Sequence, residues 1–124
     1  MTTTLVSSTQ ERVAYNEATF RDANERIEAA ADGMVHLDMI PFICECPIVT
    51  CTEIVSLTRE QYERVRERGN TFLVADGHEV THVDGVEIAQ VFEPHDGFTI
   101  MAKVGEAGRI AEELNPRSTA ERTG

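Results

Sequence analysis

The three cysteines of the chain, Cys44, Cys46 and Cys51, lie within eight residues of one another. Three thiolates together with one imidazole form a closed tetrahedral shell around zinc. In a reducing compartment, an odd number of clustered cysteines is more typical of metal binding or thiol chemistry than of disulfides. The cluster therefore predicts a metal site, although free cysteines are also common as small buried hydrophobic residues.

The first two cysteines belong to a segment with strand character, Phe42–Cys46. Residues i and i+2 of a strand point to the same face, so Cys44 and Cys46 are expected to present their sulfurs together, with Glu45 facing away. Side chains whose backbones are about 7 Å apart can both reach a zinc ion at about 2.3 Å. This strand is therefore expected to supply two ligands.

The third cysteine follows a proline turn. Four residues separate Cys46 from Cys51, and the first of them is Pro47. The chain can therefore turn and return Cys51 at the start of a second strand, about Thr52–Leu57. One hairpin would then supply three corners of a tetrahedron.

The fourth ligand must come from elsewhere, and the chain has four histidines, His36, His78, His82 and His95. His78 follows a predicted strand, Thr71–Ala75, and a glycine, so its side chain can reach a neighbouring hairpin. His36 lies between two apolar residues, as packed histidines do, and His95 lies at a hairpin tip. The sequence also leaves open that His82 or His95, instead of His78, is the fourth ligand. The predicted Zn2+ ligands are Cys44, Cys46, Cys51 and His78.

The segment His78–His82 also matches the H-E-x-x-H pattern of zinc peptidases, in which two histidines on one helix face bind zinc and the glutamate is the general base. That pattern needs a helix. Gly77 precedes the segment and Asp84-Gly85 follows it, which leaves too few residues for one. A closed shell of four protein ligands also leaves no position for a substrate. A zinc hydrolase is therefore the weaker alternative.

The composition limits the classes of function. The chain has 124 residues and a formal net charge of -11, with Lys103 as its single lysine. Such a surface repels phosphate backbones, so we expect no nucleic-acid partner. No apolar run has the length of a membrane span, and Met1–Gln10 lacks the basic and apolar regions of a signal peptide. We therefore expect a cytoplasmic protein with no membrane association.

The segment from Asp76 to Asp96 contains six acidic residues and no lysine or arginine. A basic protein partner or a bound cation would suit this segment. The alternative is a solvated acidic loop and hairpin.

A long N-terminal helix is predicted from the capping box Ser8–Glu11 to about Asp32, just before Gly33. Its apolar residues form a narrow seam that could pack on a sheet or against a second copy of the chain. The pairs Glu17–Arg21 and Asp22–Arg26 are expected to lie on its exposed side. The seam consists of Val13, Phe20, Ala23, Ile27, Ala30 and Met34.

Two shorter helices are predicted. Thr58–Gln61 is a second capping box, and it opens a helix through Arg68. Arg64, Arg66 and Arg68 on this helix are expected to form a solvated face. Ala107–Leu114 is the last predicted helix, and Asn115-Pro116 ends it.

A hairpin is predicted between the last two helices, from Val86–Phe92 and Phe98–Val104. In its second strand Thr99, Met101 and Lys103 alternate with apolar residues, so they are expected on the wet face. Together the elements indicate the α+β class: a small mixed sheet of about four to five strands with a long N-terminal helix, a short middle helix and a short C-terminal helix. We expect a single domain over residues 1–124, with 1–9 and 117–124 as flexible tails.

Much of the chain, from about Glu11 to Arg117, resembles a group of small actinobacterial proteins that share a C-E-C, C-T-E, L-T, F-L-V, G-H-E pattern. The resemblance implies one folded unit that contains the three cysteines and His78, and it implies no activity. The matching residues are Asn24–Ile27, Phe42–Cys46, Cys51–Glu53, Val55, Leu57-Thr58, Glu60, Tyr62, Val65-Arg66, Phe72–Val74, Gly77–Glu79 and Asn115–Arg117.

These observations predict a small zinc-binding protein with a structural Cys3His site, which acts as an interaction or regulatory module. A protein partner or self-association is expected, and no catalytic residue is predicted. The alternative is a thiol-based redox or metal sensor that uses Cys44 and Cys46.

Overall fold

The computed structural model describes residues 2–34, 38–48 and 50–117, and of residues 2–8 the backbone alone. It confirms the α+β class. Three helices are present in the described residues: α1 (Thr2–Ala31), α2 (Arg59–Val65) and α3 (Gly105–Glu113). None of them is long and apolar enough to cross a membrane. The single domain and the flexible tails stay predictions.

Seven strands accompany these helices, and in the described residues they form three antiparallel sheets rather than one mixed sheet. The first sheet pairs β1 with β2, the second has the order β3-β7-β6, and the third pairs β4 with β5. Short turns join β4 to β5 and β6 to β7, and strands joined in this way run antiparallel. The strands are β1 (Ile40–Ile43), β2 (Ile54–Leu57), β3 (Thr71–Ala75), β4 (His82–Val83), β5 (Val86–Glu87), β6 (Ala89–His95) and β7 (Phe98–Lys103).

The predicted hairpin before α3 is present with shifted bounds. Its first strand, β6, runs on to His95, and the turn is reduced to Asp96 and Gly97. A smaller hairpin, β4 to β5, precedes it and takes up Val86 and Glu87, the first two residues of the predicted strand Val86–Phe92. Its turn residues Asp84 and Gly85 have φ of 52° and 77°, as the tight turns of two-residue hairpins require.

The start of α1 differs from the prediction. The backbone is helical from Thr2, so Ser8 lies inside the helix and the predicted capping box is wrong. An N-cap residue needs a non-helical backbone, and a continuing helix removes it. At α2 the capping box is confirmed: Gln61 N donates to Thr58 Oγ1 at 3.1 Å, and Thr58 N donates to Gln61 Oε1 at 2.8 Å.

The three arginines near α2 do not share one solvated face. Arg64 is exposed and pairs with Glu67 and Glu93, and Arg68 lies over the ring of Phe92. Arg66 instead turns into the interior, where its side chain is 2% exposed. The prediction was wrong for Arg66 because it follows the buried Tyr62 by four residues, and helical spacing places both on the same face; its N–H still donates to Tyr62 O at 3.1 Å.

The apolar seam predicted along α1 coincides with its buried face only in part, at Val13. Met34 is 58% exposed and Ala30 is exposed, while Phe20, Ala23 and Ile27 are half-buried. The buried face includes charged and polar side chains, so counting apolar residues places it wrongly. Within residues 9–31 of α1, the buried residues are Thr9, Val13, Ala14, Glu17, Ala18, Arg21, Asn24 and Ala31.

Glu17 and Arg21, predicted as an exposed pair, are both buried and have distant partners. Glu17 Oε2 lies 2.5 Å from Lys103 Nζ, and both side chains are at most 1% exposed. The Arg21 guanidinium donates to the carbonyls of Gly69 and Ala111 at 2.8 and 3.0 Å. Helix α1 is therefore held to the rest of the chain by buried polar contacts.

Strand β7 is buried on both faces, so the prediction of a wet face is also wrong. Thr99, Met101 and Lys103 are 4%, 1% and 3% exposed. Both faces contribute to the main core, through Ile100 on one face and Met101 on the other, and Glu17 of α1 meets Lys103 on the second face. The Lys103 ammonium lies 4.9 Å from the centre of the Phe72 ring. That contact and Glu17 compensate the burial of its charge.

Candidate metal site

Cys44 and Cys46 lie in an extended segment that passes from one sheet to the next. Strand β1 ends at Ile43, short of the prediction, but Cys44 N still donates to Glu53 O at 3.1 Å, beside β2. Glu45 N then donates to Leu73 O of β3 at 2.7 Å. The extended backbone makes side chains alternate, so the two cysteines share one side and Glu45 takes the other.

Cys51 returns to its partners through a turn that follows Pro47. Cys51 N donates to Ile48 O at 3.0 Å, which closes the turn. Cys51 then lies three residues before β2, which begins at Ile54 rather than near Thr52. The predicted hairpin is therefore present, with the third cysteine in its loop.

His78 is positioned by a tight turn at the end of β3. Its N–H donates to Ala75 O at 3.0 Å, and Gly77 between them has φ of +86°, a conformation that favours glycine. Glu79 braces the same turn, since its carboxylate accepts from Gly77 N at 3.0 Å and from Thr99 Oγ1 at 2.9 Å. The turn directs the imidazole toward the cysteines.

The three sulfurs and the imidazole form one compact group. His78 Nδ1 lies 3.8 Å from Cys44 Sγ, 3.7 Å from Cys46 Sγ and 3.4 Å from Cys51 Sγ. All four ligand atoms lie within 4.8 Å of one another. Bonds of about 2.3 Å to sulfur and about 2.0 to 2.1 Å to nitrogen at tetrahedral angles give nitrogen–sulfur separations of about 3.6 Å. The group is compatible with a metal ion at its centre.

The electrostatics of the group explain what a cation would do there. Cys44 and Cys46 are at most 1% exposed, whereas Cys51 and His78 are half-buried. Burial raises the pKa of the Cys44 and Cys46 thiols, because it penalises the thiolates. The Ala75 N–H, which donates to Cys44 Sγ at 3.3 Å, acts in the opposite direction. A bound cation would stabilise the thiolates far more strongly.

The other histidines are engaged elsewhere or lie outside the described residues. His82 belongs to β4, and its Nδ1 lies 2.9 Å from Thr81 Oγ1. His95 stacks on Phe98 and contacts Glu93 at 2.6 Å. His36 lies outside the described residues. The His78–His82 segment is not helical, as the sequence predicted, so it does not form the arrangement of a zinc peptidase.

Sequence analysis missed the role of Glu45. Its side chain is fully buried, where Arg66 Nη2 and the Leu73 N–H donate to Oε1 at 2.5 and 2.9 Å, and Asn24 Nδ2 donates to Oε2 at 2.7 Å. The strand alternation did predict that Glu45 faces away from the cysteines. In a chain of this size the opposite side of a strand is often a second core face. The same alternation could therefore have predicted that Glu45 is buried.

Much of the acidic segment from Asp76 to Asp96 is paired with the chain itself. Arg12 contacts Asp84 at 3.0 Å, and Arg64 contacts Glu93 at 2.5 Å. Glu79 is used in the His78 turn. A basic partner for this segment stays a prediction.

The chain was compared with protein-family models, with curated proteins and with solved structures. None of the three comparisons finds a match. The resemblance to the actinobacterial proteins therefore stays a prediction, and the function has to be argued from the Cys3His group itself.

Proposed function

We propose that the chain binds one Zn2+ ion through Cys44, Cys46, Cys51 and His78, in a closed structural site. The observation that carries this proposal is the position of His78 Nδ1, 3.4 to 3.8 Å from all three sulfurs. The three cysteines of one hairpin and the histidine of the turn after β3 thus bring four ligand atoms within 4.8 Å of one another, as a tetrahedral site requires.

Zinc is the metal that best suits these donors. Thiolates are soft ligands and imidazole is intermediate, whereas calcium and magnesium prefer oxygen. Tetrahedral sites of three sulfurs and one nitrogen are typical of structural zinc. The sulfurs of Cys44 and Cys46 are buried beside the core, as expected for an ion that holds the fold and does not exchange electrons.

A closed site favours a structural role over catalysis. Four protein ligands fill a tetrahedral shell, so no position is left for a water or a substrate. Glu79, the general base of the hydrolase alternative, is held by Gly77 and Thr99 instead. The chain is therefore proposed to act as a small interaction or regulatory module, with a protein partner or a second copy.

A thiol-based redox sensor is a second candidate; it would use the half-buried Cys51, because Cys44 and Cys46, the pair predicted for this role, are at most 1% exposed. In such a sensor a hydroperoxide would oxidise two zinc-bound thiolates to a disulfide and would itself be reduced to water or an alcohol. The disulfide no longer binds zinc, so the metal would be released. Mild peroxide should then eject zinc, and a thiol reductant should restore binding. Thiols that stay unreactive under this treatment would remove the candidate.

The direct test of the proposed function is the metal content of the protein, produced without a histidine tag and kept reduced. We expect about one zinc per chain by mass spectrometry of the metal. The triple variant in which Cys44, Cys46 and Cys51 are replaced by serine is the control and should hold none. Less than about half an equivalent of zinc in the parent protein would contradict the proposal.

A further inference from the structure

Glu45 lies between two ligands of the Cys3His group, and its carboxylate collects contacts from three elements. Asn24 belongs to α1, Arg66 follows α2, and Leu73 belongs to β3. The same Asn24 side chain also clamps the preceding backbone, since its Nδ2 donates to Ile43 O and its Oδ1 accepts from Ile43 N, both at 2.8 Å. Residues 43–45 are therefore fixed by side chains as well as by backbone hydrogen bonds.

This clamp takes the place of a regular strand. Strand β1 ends at Ile43, so the backbone that carries Cys44 and Cys46 lies beyond regular strand pairing. Its extended form depends on two backbone bonds, to Glu53 O and Leu73 O, and on the contacts of the Glu45 side chain. Since side chains alternate along this segment, holding Glu45 on one side directs both cysteines to the other.

We infer that Glu45 is a positioning residue that couples metal occupancy at the cysteines to the packing of α1 and α2. This inference rests on the proposed function. Metal-bound Cys44 and Cys46 fix the segment from one side, and Asn24 and Arg66 fix it through Glu45 from the other. Each set of contacts therefore strengthens the other, and binding of the metal tightens the contacts of both helices.

The first test replaces Glu45 by glutamine and measures zinc affinity by competition with a chromophoric chelator. Glutamine keeps the size of the side chain but removes the charge that faces Arg66. Its NH2 group cannot accept a hydrogen bond, so one of the donors that bonded to the carboxylate loses its acceptor. We expect affinity to fall about tenfold or more, the range for groups that orient metal ligands. The Co2+ absorption spectrum of the variant should also change, because the sulfur positions shift.

The matched control is Glu17→Gln, which also removes a buried carboxylate that lies 2.5 Å from a buried cation. Glu17 contacts Lys103 rather than the cysteine segment. We expect the zinc affinity of this variant to stay within about twofold of the parent and its Co2+ spectrum to stay unchanged. An equal loss of affinity in both variants would overturn the inference.

The second test uses the unaltered protein and decides the question even if Glu45→Gln does not fold. Removal of zinc by a chelator should speed hydrogen exchange at the amides of Ile43 and Leu73, which donate to Asn24 and Glu45. The Gly108 amide, bonded to Val104 O in α3, should change little. The inference is overturned if Ala75, bonded to Cys44 Sγ, alone exchanges faster, or if Gly108 accelerates equally.

The outcomes separate the two proposals. A parent protein that takes up no zinc contradicts the proposed function, and the inference falls with it. A parent protein that binds zinc, together with a Glu45→Gln variant that binds it equally well, contradicts the inference alone.

Discussion

At the scale of single residues, the site depends on one histidine among four. Of the three histidines that the structure describes, His78 is the one whose ring nitrogen faces the three sulfurs, while His82 and His95 contact Thr81 and Glu93. His78→Ala removes a ligand, so it should weaken zinc binding by more than the 10- to 100-fold typical of outer contacts. Chelator competition measures this effect.

His95→Ala and His82→Ala are the matched controls for that variant. Both remove an imidazole from a position in the chain that does not contact the sulfurs, so zinc affinity should stay near that of the parent. A larger loss in His82→Ala than in His78→Ala would show that the wrong histidine has been assigned to the site.

A second residue-scale prediction concerns the buried pair of Glu17 and Lys103. Burial raises the pKa of Glu17 to about 7, although Lys103 opposes the shift. The folded protein therefore binds this proton more tightly than the unfolded chain does. Protonation of Glu17 therefore stabilises the folded protein. This contribution is complete below the ordinary pKa of 4.5 and is lost as the pH rises through about 7.

The measurement is the free energy of unfolding in urea between pH 5 and 8, for the parent and for Glu17→Gln. The difference between them should change with pH by up to about 1.4 kcal/mol per unit, in favour of the variant as the pH rises. Comparing two proteins with the same cysteines cancels the titration of the metal ligands. Parallel pH profiles would contradict the assignment to Glu17.

At the scale of elements, the turn after β3 sets the direction of His78. Gly77 has φ of +86°, and a Cβ added there would meet no atom within 4 Å. Gly77→Ala should therefore cost about 1 to 2 kcal/mol through backbone strain alone. Relief of that strain should rotate the turn and weaken zinc binding, measured by chelator competition.

Gly97→Ala is a close control, because Gly97 has φ of +88° and equally open surroundings in the β6–β7 turn. The two variants should lose similar stability without metal, and only Gly77→Ala should lose metal affinity. Equal affinities would mean that the turn does not position the ligand.

Most elements, and the grouping of the four candidate ligands, could be predicted because their signals are local. The α2 capping box spans four residues, and β3 lies where its apolar run predicts. The three cysteines lie within one hairpin, and His78 directly follows β3. For such features a short stretch of sequence contains both the cause and the result.

The buried face of α1 could not be predicted in this way. Glu17 meets a partner 86 residues away, and Arg21 meets carbonyls 48 and 90 residues away. Before those partners are known, charged residues indicate an exposed face, and the apolar seam indicates a buried one. The single lysine, Lys103, was the one residue whose rarity could have drawn attention to a special role.

At the scale of the whole molecule, charged side chains are packed around one aromatic ring. Arg21, Lys103 and Arg66 lie 5.0, 4.9 and 6.0 Å from the centre of the Phe72 ring. Glu17 and Glu45 compensate two of these cations. Breaking such a buried pair is costly, so these contacts favour one specific packing of α1 on the sheets.

This organisation predicts what metal removal does to the protein. A core of this size does not need a metal to form, so chelation should lower the melting temperature without unfolding the chain at 25 °C. With free zinc at about a thousand times the dissociation constant, bound metal adds about 4 kcal/mol. Calorimetry with and without chelator, together with far-ultraviolet circular dichroism, measures both effects. Loss of all helical signal on chelation would contradict this prediction.

The central claim is that four protein side chains enclose one zinc ion. X-ray absorption at the zinc edge tests it most directly, because it reports the number and kind of ligands. We expect three sulfurs at about 2.3 Å, one nitrogen at about 2.0 to 2.1 Å, and outer scattering from a single imidazole ring. Fewer than three sulfurs, no imidazole, or a fifth ligand would contradict the closed Cys3His site.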